Sequence, residues 1–266
     1  HEGSKRGGIP VMKLASELER IEPRVGASPW PDHEHVRGFA VMALPLSSGH
    51  VLGLRVWPES DFAPFVSVWH RTPEGHWSIF NDGPLLEATC SRYWGPVLRE
   101  SRLARIHLSW TGPNELRVQM EDPHLVWTMS MAAPPFLRVM NAVSGSLPLW
   151  SWKPAPLLWM RQWMARRLLG MGDIRLSFEM PSGQDTTIMP ERIFFIEASK
   201  PVLDGRDLRE PVRLAENPTI GGIPLPARPT FAIGQAHMRI EDHEEYRLTR
   251  ENARSKARER GTIQAG

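Results

Sequence analysis

Between Ala104 and Met131 the chain reads ARIHLSWTGPNELRVQMEDPHLVWTMSM. Ile106, Leu108 and Trp110 alternate with Arg105, His107 and Ser109. Leu116, Val118 and Met120 then alternate with Glu115, Arg117 and Gln119, and Leu125, Trp127, Met129 and Met131 with Val126, Thr128 and Ser130. A period of two repeated three times is the mark of β-strands with one apolar face. Thr111-Gly-Pro-Asn114 and Glu121-Asp-Pro-His124 are turn sequences, so the strands are antiparallel neighbours.

The pattern continues upstream. Phe65 to Arg71 and His76 to Asp82 flank Thr72-Pro-Glu-Gly75, whose Pro and Gly suit a type I turn with a glycine bulge. That turn predicts a register in which Arg71 faces Trp77, His70 faces Ser78 and Val66 faces Asp82. Both faces of this hairpin mix apolar and polar side chains, as in a wall between a ligand cavity and a second layer. Further strands are expected at 36–44, 51–57, 174–180, 192–199 and 231–240, each rich in β-branched or aromatic residues. Two helices interrupt them. Val11, Leu14, Leu18 and Ile21 fall at helical spacing, and Pro154 to Leu169 forms a Trp- and Met-rich helix with Gly170 after it and Arg166 and Arg167 in its last turn. The second is expected to plug the open end of a barrel or pack on a sheet; the lesser alternative is a basic amphipathic helix on a membrane surface.

These elements predict a mainly β protein: an antiparallel meander closing into a lipocalin-like β-barrel with one or two capping helices. Residues 1–30 read as a flexible arm and short helix, 31–240 as the barrel-like domain with the inserted helix, and 241–266 as a charged tail, either a solvated helix or disordered.

Composition narrows the function. The chain of 266 residues has one Cys, Cys90, beside 11 Trp and 12 Met, and a formal charge of +2. A single Cys rules out a disulfide framework and a cysteine-rich zinc site. Near-neutral charge argues against a nucleic-acid partner. The sequence holds no ~20-residue apolar run and no secretory leader, so a cytoplasmic location is expected. Glycine-rich nucleotide loops, nucleophile elbows and His-Glu-x-x-His are absent from the sequence, and neither cofactor nor metal is expected. His33 and His35 share one side of an extended segment, but no third ligand stands at a recognised spacing.

The run Ser67-Val-Trp-His-Arg-Thr-Pro-Glu-Gly-His-Trp77 with Asp82 and Cys90-Ser-Arg-Tyr-Trp-Gly95 resembles an uncharacterised, lipocalin-like family of actinobacterial proteins. Trp110-Thr-Gly-Pro113, Arg138-Val-Met-Asn141, Pro181-Ser-Gly-Gln184 and Val202-Leu-Asp-Gly-Arg-Asp-Leu208 are similar to it as well. That resemblance implies no assigned chemistry. A looser, architectural resemblance to the lipocalin-like carotenoid hydratases implies a barrel acting on isoprenoid chains.

The expected function is a cofactor-independent acid–base enzyme, a hydratase, isomerase or cyclase, acting on an apolar isoprenoid-, steroid- or polyketide-like molecule. The alternative is a carrier using the same cavity without chemistry. His70, Asp82 and Tyr93 are the candidate acids and bases. The first two lie about 13 Å apart along the strand at 3.3 Å per residue, too far for a dyad. Trp69, Arg92, Trp110, Met120, Trp127, Met129 and Asn141 are the candidate substrate contacts, Trp and Met supplying adaptable apolar walls.

Overall fold

The structure, a computed structural model, describes residues 13–263. Ten strands make the main sheet: β1 (His33–Pro45), β2 (Val51–Ser60), β3 (Phe65–Arg71), β4 (Trp77–Asp82), β5 (Glu100–Leu103), β6 (Ile106–Gly112), β7 (Glu115–Met120), β8 (Leu125–Ala132), β9 (Asp185–Leu203) and β10 (Thr230–Arg239). The meander forms as its alternation dictates, with Leu108 opposite Val118 and Val118 opposite Trp127. The β3/β4 register pairs Arg71 with Trp77 and Val66 with Asp82. Gly75 closes that turn at φ 96°, where a side chain would be strained. The expected strand at 174–180 shrinks to Ser177–Glu179, paired with the start of β9.

The sheet runs in the order β5-β4-β3-β2-β1-β10-β9-β8-β7-β6. It is mainly β, curled and mixed, and it forms a half-barrel; the closed antiparallel barrel expected from the meander is not what the chain builds. Two features explain the difference. The crossover after Asp82 brings β5 back parallel to β4, with Ser78 opposite Glu100. The two edge strands, β5 and β6, are consecutive in the chain with only Ala104 and Arg105 between them, and no ladder joins them. The end of β4 instead ties down the link between them: Asp82 Oδ2 accepts from the Ile106 N–H at 2.9 Å and the Ala104 N–H donates to Asn81 O at 2.8 Å.

Over β1–β4 and β10 both faces of the sheet are buried. The concave face holds a core that includes Phe39, Val41, Leu54, Val68, Phe80, Leu116, Trp127, Phe194 and Phe231. The convex face packs Phe65, Trp69, Trp77 and Ile79 against Cys90, Tyr93, Trp94 and the segment Ile220–Leu225. Tight curl is set at paired glycines: Gly38 lies opposite Gly234, each beside a bulge. A Cβ on Gly38 would sit 2.1 Å from Val56 O, and one on Gly234 2.2 Å from Met189 O.

Helix α1 (Leu14–Leu18) inserts Leu14 and Leu18 into the concave core. Helix α2 (Ser91–Trp94) lies on the convex face, and α3 (Pro135–Gly145) lies along β9. Helix α4 (Ala155–Arg167) reaches the concave core only at its end, through Ala165 and through Leu169 just beyond it, and carries Trp159 and Trp163 on the surface. The expected charged tail is, over its described part, helix α5 (His243–Glu259). Asp242 caps it by accepting from the N–H groups of Glu244 and Glu245. Acidic residues in the first turn and basic ones in the last complement its dipole. Small Ala253 packs with Phe62 and Ala88, and Arg260 donates to Gly83 O. No helix among the described residues is long and apolar enough to cross a membrane.

Candidate functional site

Arg55 sits in β2 between the inward-facing Leu54 and Val56, so its side chain emerges on the convex face. There a second layer covers it, and the residue is only 6% exposed. Its guanidinium donates to the carbonyls of Val41, Leu54 and Met42 at the β1 bulge, and lies 4.3 Å over the Trp69 ring. Three bonds leave two of the five N–H groups of a guanidinium open. Among the described residues no carboxylate pairs with Arg55 at ion-pair distance. Burial pulls its pKa down to about 10, so the charge persists at neutral pH. An ionised group taken out of water without a counter-charge is expensive.

The guanidinium borders an apolar cavity of about 90 Å³, walled also by Trp57, Trp69, Cys90, Tyr93 and Trp94. Trp69 is packed edge-to-face against Trp94 at 5.2 Å, and its buried indole N–H finds no oxygen or nitrogen acceptor, only the Cys90 thiol beside it. Cys90 stands among Ser67, Arg55, Trp69 and Trp57, yet burial dominates and pushes its thiol pKa up, so it is a neutral wall rather than a nucleophile. The cavity thus has an apolar body and one buried cationic residue, Arg55, at its wall. Chemically, that cation complements a carboxylate, phosphate or carbonyl.

A second polar cluster anchors the cavity wall. Glu34 is 0% exposed and accepts from Arg92 (Nε 3.0 Å, Nη2 2.8 Å), from the Tyr93 hydroxyl (2.6 Å) and from Gln184 (3.2 Å). Arg92 also reaches Glu245 of α5 at 2.9 Å. Burial raises the Tyr93 pKa, and Glu34 raises it further, so the phenol is a donor locked on that carboxylate.

Of the three candidate acids and bases, Tyr93 borders this cavity and the other two do not. His70 lies on the concave face beside His50, ring nitrogens 2.9 Å apart, and its pKa is lowered to about 4 by burial and by His50. Asp82 holds the Ile106 N–H. Trp69 lines the cavity and Arg92 braces its wall. Met120, Trp127 and Met129 are packed into the concave core, and Trp110 leans on Phe39 at 6.3 Å. Asn141 uses both amide atoms on the Ile193 backbone, at 2.8 Å each, clipping α3 to β9. His33 bonds Pro31 O, whereas His35 shares the Gln235 carbonyl with His237. Arg55 escapes the sequence reading because a charge alternating with apolar neighbours reads as solvent-facing, and Glu34 because Asp32-His33-Glu34-His35 reads as a loop after Trp30-Pro31.

Compared with protein-family models, curated proteins and solved structures, the chain matches none.

Proposed function

We propose that the protein binds a small apolar molecule carrying one anionic or strongly accepting group, with the head on Arg55 and the Trp69 indole. The body would lie against Phe65, Trp94, Met180 and Met238, all cavity-wall residues. The supporting observation is a buried guanidinium that has no carboxylate partner at one apolar cavity, beside an indole N–H whose nearest acceptor is the weak Cys90 thiol. At about 90 Å³ the space is smaller than the ~300–1,000 Å³ of ordinary ligand pockets. Only a few heavy atoms fit the space as it stands, given that ~150 Å³ holds a benzene; an eight-carbon chain, an isoprenoid or a steroid would require the 171–180 and 223–226 cover to open. This favours the binding reading over the expected hydratase, isomerase or cyclase. Titration calorimetry with octanoate and with octanol tests it. The acid should bind about tenfold or more tighter, as expected of a charge-assisted hydrogen bond. Arg55→Met should erase the difference. Equal affinity for acid and alcohol, or discrimination retained in Arg55→Met, would sink the proposal.

A further inference from the structure

We infer that the face formed by α3, α4 and the segment between them docks on an anionic lipid bilayer. Of the twelve large hydrophobic side chains exposed among the described residues, nine lie between Phe136 and Leu168. Val139 is 66% exposed, Trp150 65% and Trp159 66%, with Val143, Trp163 and Leu168 beside them. Such a concentration on one face marks an interaction surface. On α3, Phe136, Val139 and Val143 recur at helical spacing, so a whole helix stripe points outward.

Charge selects the partner. From Pro123 to Gly172 the sequence has no Asp or Glu, but has Arg138, Lys153, Arg161, Arg166 and Arg167. The nearby carboxylates are already engaged: Asp173 with Arg166, and Glu191 with Gln235 and Arg37. A second copy docking by the same face would set these cations against one another. An anionic bilayer satisfies both halves of the surface: indoles sit at the headgroup level, and Arg and Lys attract anionic lipid. The groove between α3 and α4, about 320 Å³, shares Ile174, Leu176, Pro190 and Ile193 with the wall of the Arg55 cavity. A membrane-borne amphiphile would therefore arrive at that cavity; this last step rests on the ligand reading, whereas the docking does not.

The test is co-sedimentation of the full chain with phosphatidylcholine vesicles and with phosphatidylcholine/phosphatidylglycerol vesicles, with tryptophan emission recorded in parallel. Binding to the anionic vesicles with a blue shift is expected. Arg166→Glu with Arg167→Glu should weaken it about thirtyfold. Trp159→Ser with Trp163→Ser should weaken it about tenfold or more. All four positions are exposed, and unchanged melting of both variants confirms folding. Absence of vesicle binding, or binding that both variants leave intact, overturns the inference. So does a dimer, or a complex with an acidic protein, that Trp159→Ser with Trp163→Ser dissolves while vesicle binding stays unchanged. Octanoate affinity measured without vesicles separates failure of the docking from failure of the ligand site.

Discussion

Acid should unfold this protein through two buried histidines, and one variant should make the effect visible. His237 is 0% exposed. Its Nδ1 lies 2.9 Å from Ser28 Oγ and its Nε2 3.0 Å from the Gln235 carbonyl oxygen, and Trp30 stacks on the ring at 4.6 Å. Ser28 Oγ already accepts from the Trp30 N–H, so its proton is free to be given to Nδ1, which suits the neutral imidazole. Burial, then His35, His33 and Lys153, lower the His237 pKa to about 3. His70 falls to about 4. A histidine so lowered contributes stability that is complete above its unfolded pKa near 6.5 and is lost as pH falls toward the folded value. From about pH 8 to about pH 5 each of the two should lose about 2 kcal/mol. Asp61 acts in the opposite sense. Burial raises it from 3.8 to about 6, against a bond from Tyr246 at 3.1 Å. Its contribution is present at low pH and is lost as pH rises through about 6, so it returns about 1 kcal/mol at about pH 5.

Urea melts across that range should therefore show a net loss of about 3 kcal/mol on acidification. His237→Gln should remove about 2 kcal/mol of the slope whatever it does to the stability at pH 8. Asp61→Asn should make the wild-type slope steeper by about 1 kcal/mol, because the offset disappears. A His237→Gln curve that runs parallel to wild type would refute the reasoning, since a group with no pKa shift cannot be linked to folding.

Three other perturbations follow from the packing. Gly38→Ala places a methyl 2.1 Å from a backbone carbonyl that cannot swing away, and should lower stability by about 1–3 kcal/mol in urea melts. Arg92→Met leaves Glu34 buried without its counter-charge and should lose about 3–5 kcal/mol, part of which Glu34→Gln in the same chain recovers, as thermal melts would show. Asn141→Leu orphans the Ile193 N–H and carbonyl and should cost about 1–3 kcal/mol, with faster hydrogen exchange at Ile193 than in the centre of β9.

Strands were readable wherever one face is apolar and the next polar. β6, β7 and β8 meet that condition, and the Thr72–Gly75 turn carries the β3/β4 register in its own geometry. Closure was not readable. It depends on β5, four residues long and parallel to β4 across a crossover, and four residues carry no period. β9 is legible only over 192–199, because Thr186 to Glu191 sets Ile188 beside Met189 without alternation and contains Pro190 at a bulge. At the site, Trp69, Arg92 and Tyr93 stood out by residue type on the two-faced hairpin and the segment after it. Arg55 did not: Leu54-Arg55-Val56 alternates as a strand with one solvated face would. The layer that buries it comes from segments around 171–180 and 223–226, distant in sequence; Ile174, Leu176, Phe178 and Met180 alternate as a strand, but the alternation does not say which face of the sheet they cover.

The two buried charges of the convex layer make a contrast that bears on function. Glu34 is surrounded by a guanidinium, a phenol and an amide, so every lone-pair direction has a donor. Arg55, in the same layer, has backbone carbonyls and an aromatic face but no opposite charge. Carbonyl acceptors explain why it tolerates burial and why the β1 bulge holds its shape. They do not explain why Arg55 borders a cavity instead of a packed side chain. A layer that neutralises Glu34 so fully has the means to neutralise Arg55. A positive pole left open at the end of an apolar space is the arrangement expected when the missing acceptor arrives with a ligand, because preorganised donors lose no orientational freedom on binding.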